Sequence, residues 1–154
     1  PQDQPWPRAV DAVVLQRLLA NAGRGRPPGW HLALLPRLDA AAHGALGFAA
    51  LSAPTLAAAI EVLLTYGGAR MPFLAFGLRP AGSRIRLTCT LAHPAFADDS
   101  LLIELAVLAV AAFVWNFTSR DPREMVVLMP GAPPQYAAAL ERAGPAPLAF
   151  GRTG

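Results

Sequence analysis

Lysine is missing from this 154-residue sequence, and charge, cysteine and histidine are all scarce. All thirteen basic residues are arginine, which together with abundant Ala, Pro and Gly reads as codon bias from a genome rich in G and C. With no Gly-Lys-Ser/Thr there is no P-loop. The arginines are spread along the chain, without a basic helix or an aromatic-interleaved cluster, so the formal charge of +3 reads as solvated surface and not as a nucleic-acid footprint. The single Cys89 excludes an internal disulfide framework and suits a reducing compartment, hence a cytoplasmic location. It falls on the apolar side of an expected strand and reads as an inert buried thiol. His31, His43 and His93 are too far apart in sequence to suggest a metal site. No Gly-x-Ser-x-Gly elbow and no acid–base pair of carboxylates is present, so an enzyme is not expected. The first residues, Pro-Gln-Asp-Gln-Pro-Trp-Pro, do not read as a secretory signal.

What is abundant is apolar surface. Hydrophobic residues make up 54% of the chain and charged residues only 15%, enough for one domain with a real core. Residues 1–7 form a proline-punctuated lead-in, and residues 8–154 read as a single domain. Val10, Val14 and Leu18 predict a helix from Arg8 to Ala22, closed by Gly23. Gly23 to Gly29 is a loop carrying Arg24 and Arg26, and Trp30 to Leu35 a short apolar segment ended by Pro36. Leu56, Ile60, Leu63 and Leu64 share one helix face, with Thr55 or Ser52 as the cap and Gly67-Gly68 as the expected stop.

Beyond Gly68 the period becomes two. Leu74, Phe76 and Leu78, then Ile85, Leu87, Cys89 and Leu91, predict a hairpin turning at Pro80 to Ser83, with one apolar and one mixed face. Asp98-Asp99-Ser100 suits a helix start, and a nearly all-apolar helix from Leu101 to Thr118 follows, with Glu104 in its first turns. Its uninterrupted apolar run, Leu105 to Trp115, is too short for a membrane span, which takes about 20 residues. Such a helix must be covered on nearly all sides, within the chain or at a dimer seam. Met125 to Met129, Gln135 to Ala143 and Leu148 to Phe150 predict strand, helix and strand. The expected class is therefore α+β: N-terminal helices packed on a small, mostly antiparallel sheet, a long buried apolar helix, and a terminal β-α-β unit.

The stretch from Gly44 to Tyr66 carries a resemblance. Gly44, Leu46, Gly47, Phe48, Ala49, Ser52, Pro54, Thr55, Leu56 and Ala59 form a Gly-x-Leu-Gly-Phe-Ala…Ser-x-Pro-Thr-Leu-x-x-Ala pattern. It resembles the N-terminal, "arabinose-binding"-type effector domain of AraC/XylS-type transcription regulators. The order of elements from Arg8 to Gly151, with the early glutamate in the long helix and the closing Phe150-Gly151, is similar too. The resemblance implies a ligand-sensing and dimerisation domain that acts through two helix-turn-helix units placed after it, so that promoter DNA is met only by a segment beyond these residues. It also implies that this chain is one piece of a longer protein. It carries no shared ligand-contact signature.

Read from the residues, candidate ligand contacts are Phe48, Tyr66, Phe73, Arg84, Arg86 and Trp115. The hairpin's mixed face, with Arg79, Arg84 and Arg86, reads either as a solvent-facing surface or as a pocket wall for an anionic effector. Phe48, Tyr66, Phe113 and Trp115 read either as core or as a cavity lining. The expected place for a pocket is where the 56–66 helix faces the hairpin and the 101–118 helix. No cofactor is expected for this effector domain. The alternative function is a free-standing small-molecule or haem-type sensor, in which His43 or His93 would be the haem ligand.

Overall fold

The computed structural model describes residues 12–93, 96, 100–118, 121 and 124–151. The lead-in, the first turn expected of helix one, and Asp98-Asp99 lie outside the described residues. In chain order the elements are α1 (Ala12–Gly23), a 3-10 segment Trp30–Arg37, a short 3-10 turn Ala40–His43, α2 (Ala45–Leu51) and α3 (Leu56–Arg70). These are followed by β1 (Leu74–Ala81), β2 (Arg84–Leu91), α4 (Ser100–Trp115), β3 (Val127–Pro130), α5 (Ala137–Ala143) and β4 (Leu148–Gly151). The class is α+β. Among the described residues, one antiparallel hairpin, β1–β2, and one parallel pair, β3–β4, make up the strands.

The hairpin follows the period-two pattern. Leu74↔Leu91, Phe76↔Cys89 and Leu78↔Leu87 lie opposite one another on the apolar face, while Gly77↔Thr88 and Arg79↔Arg86 lie on the mixed face. The turn is tighter than the Pro80–Ser83 punctuation predicts. Pro80 is paired within β1, as an edge strand tolerates, and the loop is Gly82-Ser83 alone. Gly82 has φ +64°, the positive value that two-residue hairpin turns need at their first position. Burial on the apolar side pushes the Cys89 thiol up to about 11, in keeping with an inert group.

The Pro54-Thr55 corner forms as its chemistry dictates, with Thr55, not Ser52, as the cap. The Ala58 N–H donates to Thr55 Oγ1 at 3.2 Å. The helix does not stop at Gly67-Gly68. α3 runs on to Arg70 because its far end lies against β1. Gly67 is buried there, and a Cβ at that position would stand 3.3 Å from Cε2 of Phe76. The glycine permits close helix–strand packing and is not a terminator. The apolar stretch before the corner, residues 45–51, is itself helical, and the Trp30 segment is a 3-10 helix that carries Pro36 inside it.

α4 is the centre of the molecule. Leu108 and Ala111 join Val127, Met129, Leu140 and Ala146 in one buried cluster, while Phe113 joins Ala50 and Ala59 in a second. The Trp30 segment, β2 and β3 cover part of α4, which leaves Ala112 exposed and much of its remaining apolar surface half-buried. Among the described residues, no helix is long and apolar enough to cross a membrane. β3 is apolar on both faces but buried on one only, with Val127 and Met129 inside and Leu128 outside. β3, α5 and β4 form the expected β-α-β unit, with Val127 opposite Leu148 and Met129 opposite Phe150.

The two glycines of α3 separate helix propensity from packing. Nothing lies within 4 Å of a Cβ built on Gly68. Gly68→Ala should therefore gain the full helix-interior increment of about 0.5–1 kcal/mol and raise Tm by a few degrees in calorimetry. Gly67→Ala should gain less or lose stability, because the new methyl presses on Phe76. Equal increases from both substitutions would contradict this packing.

Candidate functional site

α4 is apolar on nearly every face, yet it carries a carboxylate in its second turn. Glu104 is 8% exposed, and a charge so placed is costly unless paired and hydrogen-bonded. Two partners from distant segments supply this. His31, 3% exposed in the Trp30 segment, stands with Nε2 2.8 Å from Glu104 Oε2. With the carboxylate ionised, that imidazole nitrogen is the donor. Tyr136, immediately before α5, places its hydroxyl 3.1 Å from both Oε1 and Oε2 and donates to them. The His31 and Tyr136 rings meet edge to face at 5.6 Å. Among the described residues no buried side-chain nitrogen or oxygen lacks a hydrogen-bond partner.

Local sequence features aim these partners. Gly29 precedes the Trp30 segment at φ +82°, a conformation that favours glycine. A Cβ there would stand 3.1 Å from the Tyr136 ring. The backbone at Gly29 thus turns the chain toward His31 and lets the phenol ring lie against it. On the other side of the segment, Arg26 sits over the Trp30 ring at 5.2 Å, so this loop arginine has a stacking role.

Glu104 and Tyr136 also border a cavity of about 150 Å³ between the start of α4 and the β3–α5–β4 unit. Ile103, Met129 and Phe150 give it apolar walls, and Ser100, Ala132 and Pro134 stand around it. Among the described residues no arginine lines it. A larger depression of about 450 Å³ follows the turn between α5 and β4, where, among the described residues, Glu141 is the one charged group and is exposed. Among the described residues, no cluster of three or more His, Cys, Asp or Glu could hold a metal ion.

The residues singled out from the sequence lie elsewhere. Phe48 and Tyr66 are 60% and 61% exposed, on α2 and α3. Phe73 precedes β1 and packs on Phe96, with ring centroids 5.7 Å apart. Arg84 and Arg86 share the mixed face of β2, and Trp115 packs at the edge of the cluster around Leu108. Only the two arginines are brought together on one face, and none of the six lines the cavity at Glu104. His43 closes the short 3-10 turn, and the His93 ring lies 5.9 Å from that of Phe96. The triad His31, Glu104 and Tyr136 was not singled out as a site from the sequence. Its one sequence signal is Glu104 itself, a lone acid in a helix with no polar face, which demands a buried partner.

Removing the acid strands two donors, so Glu104→Ala should cost about 3–5 kcal/mol in urea denaturation. Tyr136→Phe, which leaves His31 on the carboxylate, should cost about 1–2 kcal/mol. Near-equal small losses would contradict the arrangement. The phenol also predicts an alkaline signature. Burial first, then the charge of Glu104 and the hydrogen bond to it, push Tyr136 up to about 12 from the ordinary 10. The folded form holds this proton more tightly than the unfolded form. The stability it contributes is therefore complete below pH 10 and is lost as pH rises to about 12. Over that window stability should fall more steeply in the native protein than in Tyr136→Phe, and absorbance at 295 nm should show one late-titrating phenol that the substitution removes.

No curated protein matches this chain. The family profile described as "Arabinose-binding domain of AraC transcription regulator, N-term" matches residues 3–153, nearly the whole length. The corner motif at residues 44–59, the α+β order of elements and this match agree, and the chain belongs to the N-terminal arabinose-binding domain family of AraC transcription regulators, a family of ligand-sensing regulatory domains.

Proposed function

We propose that this chain is the effector-sensing and dimerisation domain of a cytoplasmic transcription regulator, and that the cavity at Glu104 receives its small-molecule effector. An attached helix-turn-helix domain, outside residues 1–154, makes the promoter contacts, and the domain itself catalyses no reaction. The observation that carries this reading is the buried Glu104 carboxylate, held by His31 and Tyr136 at the edge of a cavity, in a chain of this family. A cavity where two packed elements meet is where an occupant gains differential contacts with alternative arrangements of those elements.

The coupling works by population shift. An effector that binds one setting of the β3–α5–β4 unit against α4 better than another favours that setting, by no more than its differential affinity. α4 joins the cavity at its first turns to the second core cluster, around Phe113, near its end. A change at Glu104 thus has a rigid element through which to reach α2 and α3. Pairing into a homodimer then sets how two DNA-binding units meet their half-sites. Exposed apolar side chains are the natural candidates for that pairing surface. Leu78 and Ile85 at the hairpin tip, 42% and 71% exposed, and Val14 and Leu18 on α1 offer apolar area for it.

Electrophoretic mobility assays give the direct test. Residues 1–154 alone should retain no promoter fragment specifically, while the complete regulator should retain it, and sedimentation of the domain should report a dimer. Specific retention by residues 1–154 alone would overturn the division of labour.

A further inference from the structure

Taking the cavity at Glu104 as the effector site, as proposed above, we infer that it selects a compact ligand with one cationic, hydrogen-bond-donating end and an apolar body, a primary amine of roughly benzylamine size. An anionic effector, the partner suggested by the arginines of the hairpin, is the wrong charge for it.

An ionised carboxylate offers about four lone-pair positions. The Glu104 group accepts from two donors, His31 Nε2 and the Tyr136 hydroxyl, which is shared between both oxygens. Acceptor capacity is left over on a group that borders the cavity, and the Tyr136 oxygen can accept as well. Among the described lining residues every polar side chain is thus an acceptor or a hydroxyl: Glu104, Tyr136 and Ser100. No arginine stands among the described lining residues and the chain has no lysine, so a carboxylate or phosphate entering here would meet the Glu104 carboxylate without a lining cation of its own, His31 being already engaged with Glu104. An ammonium brings the missing donors and the opposite charge, and its bonds to a carboxylate are charge-assisted.

The rest of the lining sets the body of the ligand. Ile103, Met129 and Phe150 are hydrocarbon or thioether surface. A pentose, with hydroxyls all round its ring, would leave most of them unpaired against these walls. A cavity of about 150 Å³ accommodates a molecule the size of benzene, which fixes the scale of the apolar part.

Isothermal titration calorimetry of this chain with benzylamine, benzyl alcohol, benzoate and arabinose tests the assignment. Benzylamine should bind at one site, about tenfold or more tighter than benzyl alcohol, the difference between a charged and a neutral donor. Benzoate and arabinose should give no saturable heat. Glu104→Gln should weaken benzylamine about tenfold or more. Ala132→Phe, an exposed substitution beside the cavity that leaves the carboxylate in place, should block benzylamine while preserving the thermal transition. Benzoate or arabinose binding as tightly as benzylamine overturns the ligand class, and its loss in Ala132→Phe would still leave the cavity as the binding site. Absence of binding by all four probes, or benzylamine binding untouched by both substitutions, overturns the inference. The promoter assays above use no ligand and report separately on the regulatory reading.

Discussion

A carboxylate buried in an apolar helix is the constraint from which the rest of this structure follows. α4 has no polar face on which Glu104 could sit in water, and an unpaired charge there would cost several kcal/mol. The partners come from 73 residues earlier and 32 residues later in the chain. Satisfying one charge therefore fixes the positions of two segments at once. The Trp30–Arg37 segment is held by His31, and the start of α5 by Tyr136. Hydrophobic burial around Leu108, Met129 and Leu140 supplies the bulk of the attraction between α4 and the β3–α5–β4 unit. Non-directional contacts of that kind fix no unique orientation. The hydrogen bonds do, which is how a polar group in a core contributes specificity at some expense of stability.

The same geometry makes the site. The β3–α5–β4 unit meets α4 closely where Leu108 and Met129 pack, and less closely one turn earlier, where Glu104, Ile103 and Ser100 border the cavity. On the proposed reading, an occupant there bridges α4 and the terminal unit and biases their relative setting. The family description places this fold among regulatory domains that sense ligands. Among the described lining residues the one charged side chain is Glu104, while Arg79, Arg84 and Arg86 stand on the hairpin.

Where local chemistry decides, the sequence was legible. Alternation in residues 74–91 predicts the hairpin and its faces, including the side on which Cys89 lies. Pro54-Thr55 predicts the corner, and the apolar run after Ser100 predicts the central helix. The rhythm after Met125 predicts the terminal β-α-β unit, whose strands pair in parallel with Val127 opposite Leu148. Where tertiary contact decides, it was not. Gly67-Gly68 reads as a stop, but packing of Gly67 on Phe76 carries the helix past it. The cavity is still less legible. His31 and Tyr136 each sit in short segments without periodicity, and nothing local says that either will reach Glu104. Aromatics and arginines drew attention by type, yet Phe48 and Tyr66 lie exposed. The informative residue was the solitary acid, because its surroundings require a partner even when the sequence does not name it.

Hydrogen exchange, followed peptide by peptide in the native protein and in Glu104→Gln, tests most directly whether this carboxylate holds the two halves together. The account predicts that protection falls together in residues 30–37 and 136–143, segments far apart in sequence, while β1 and β2 retain theirs. Loss confined to α4, or a uniform decrease across the hairpin and α3 as well, would contradict it.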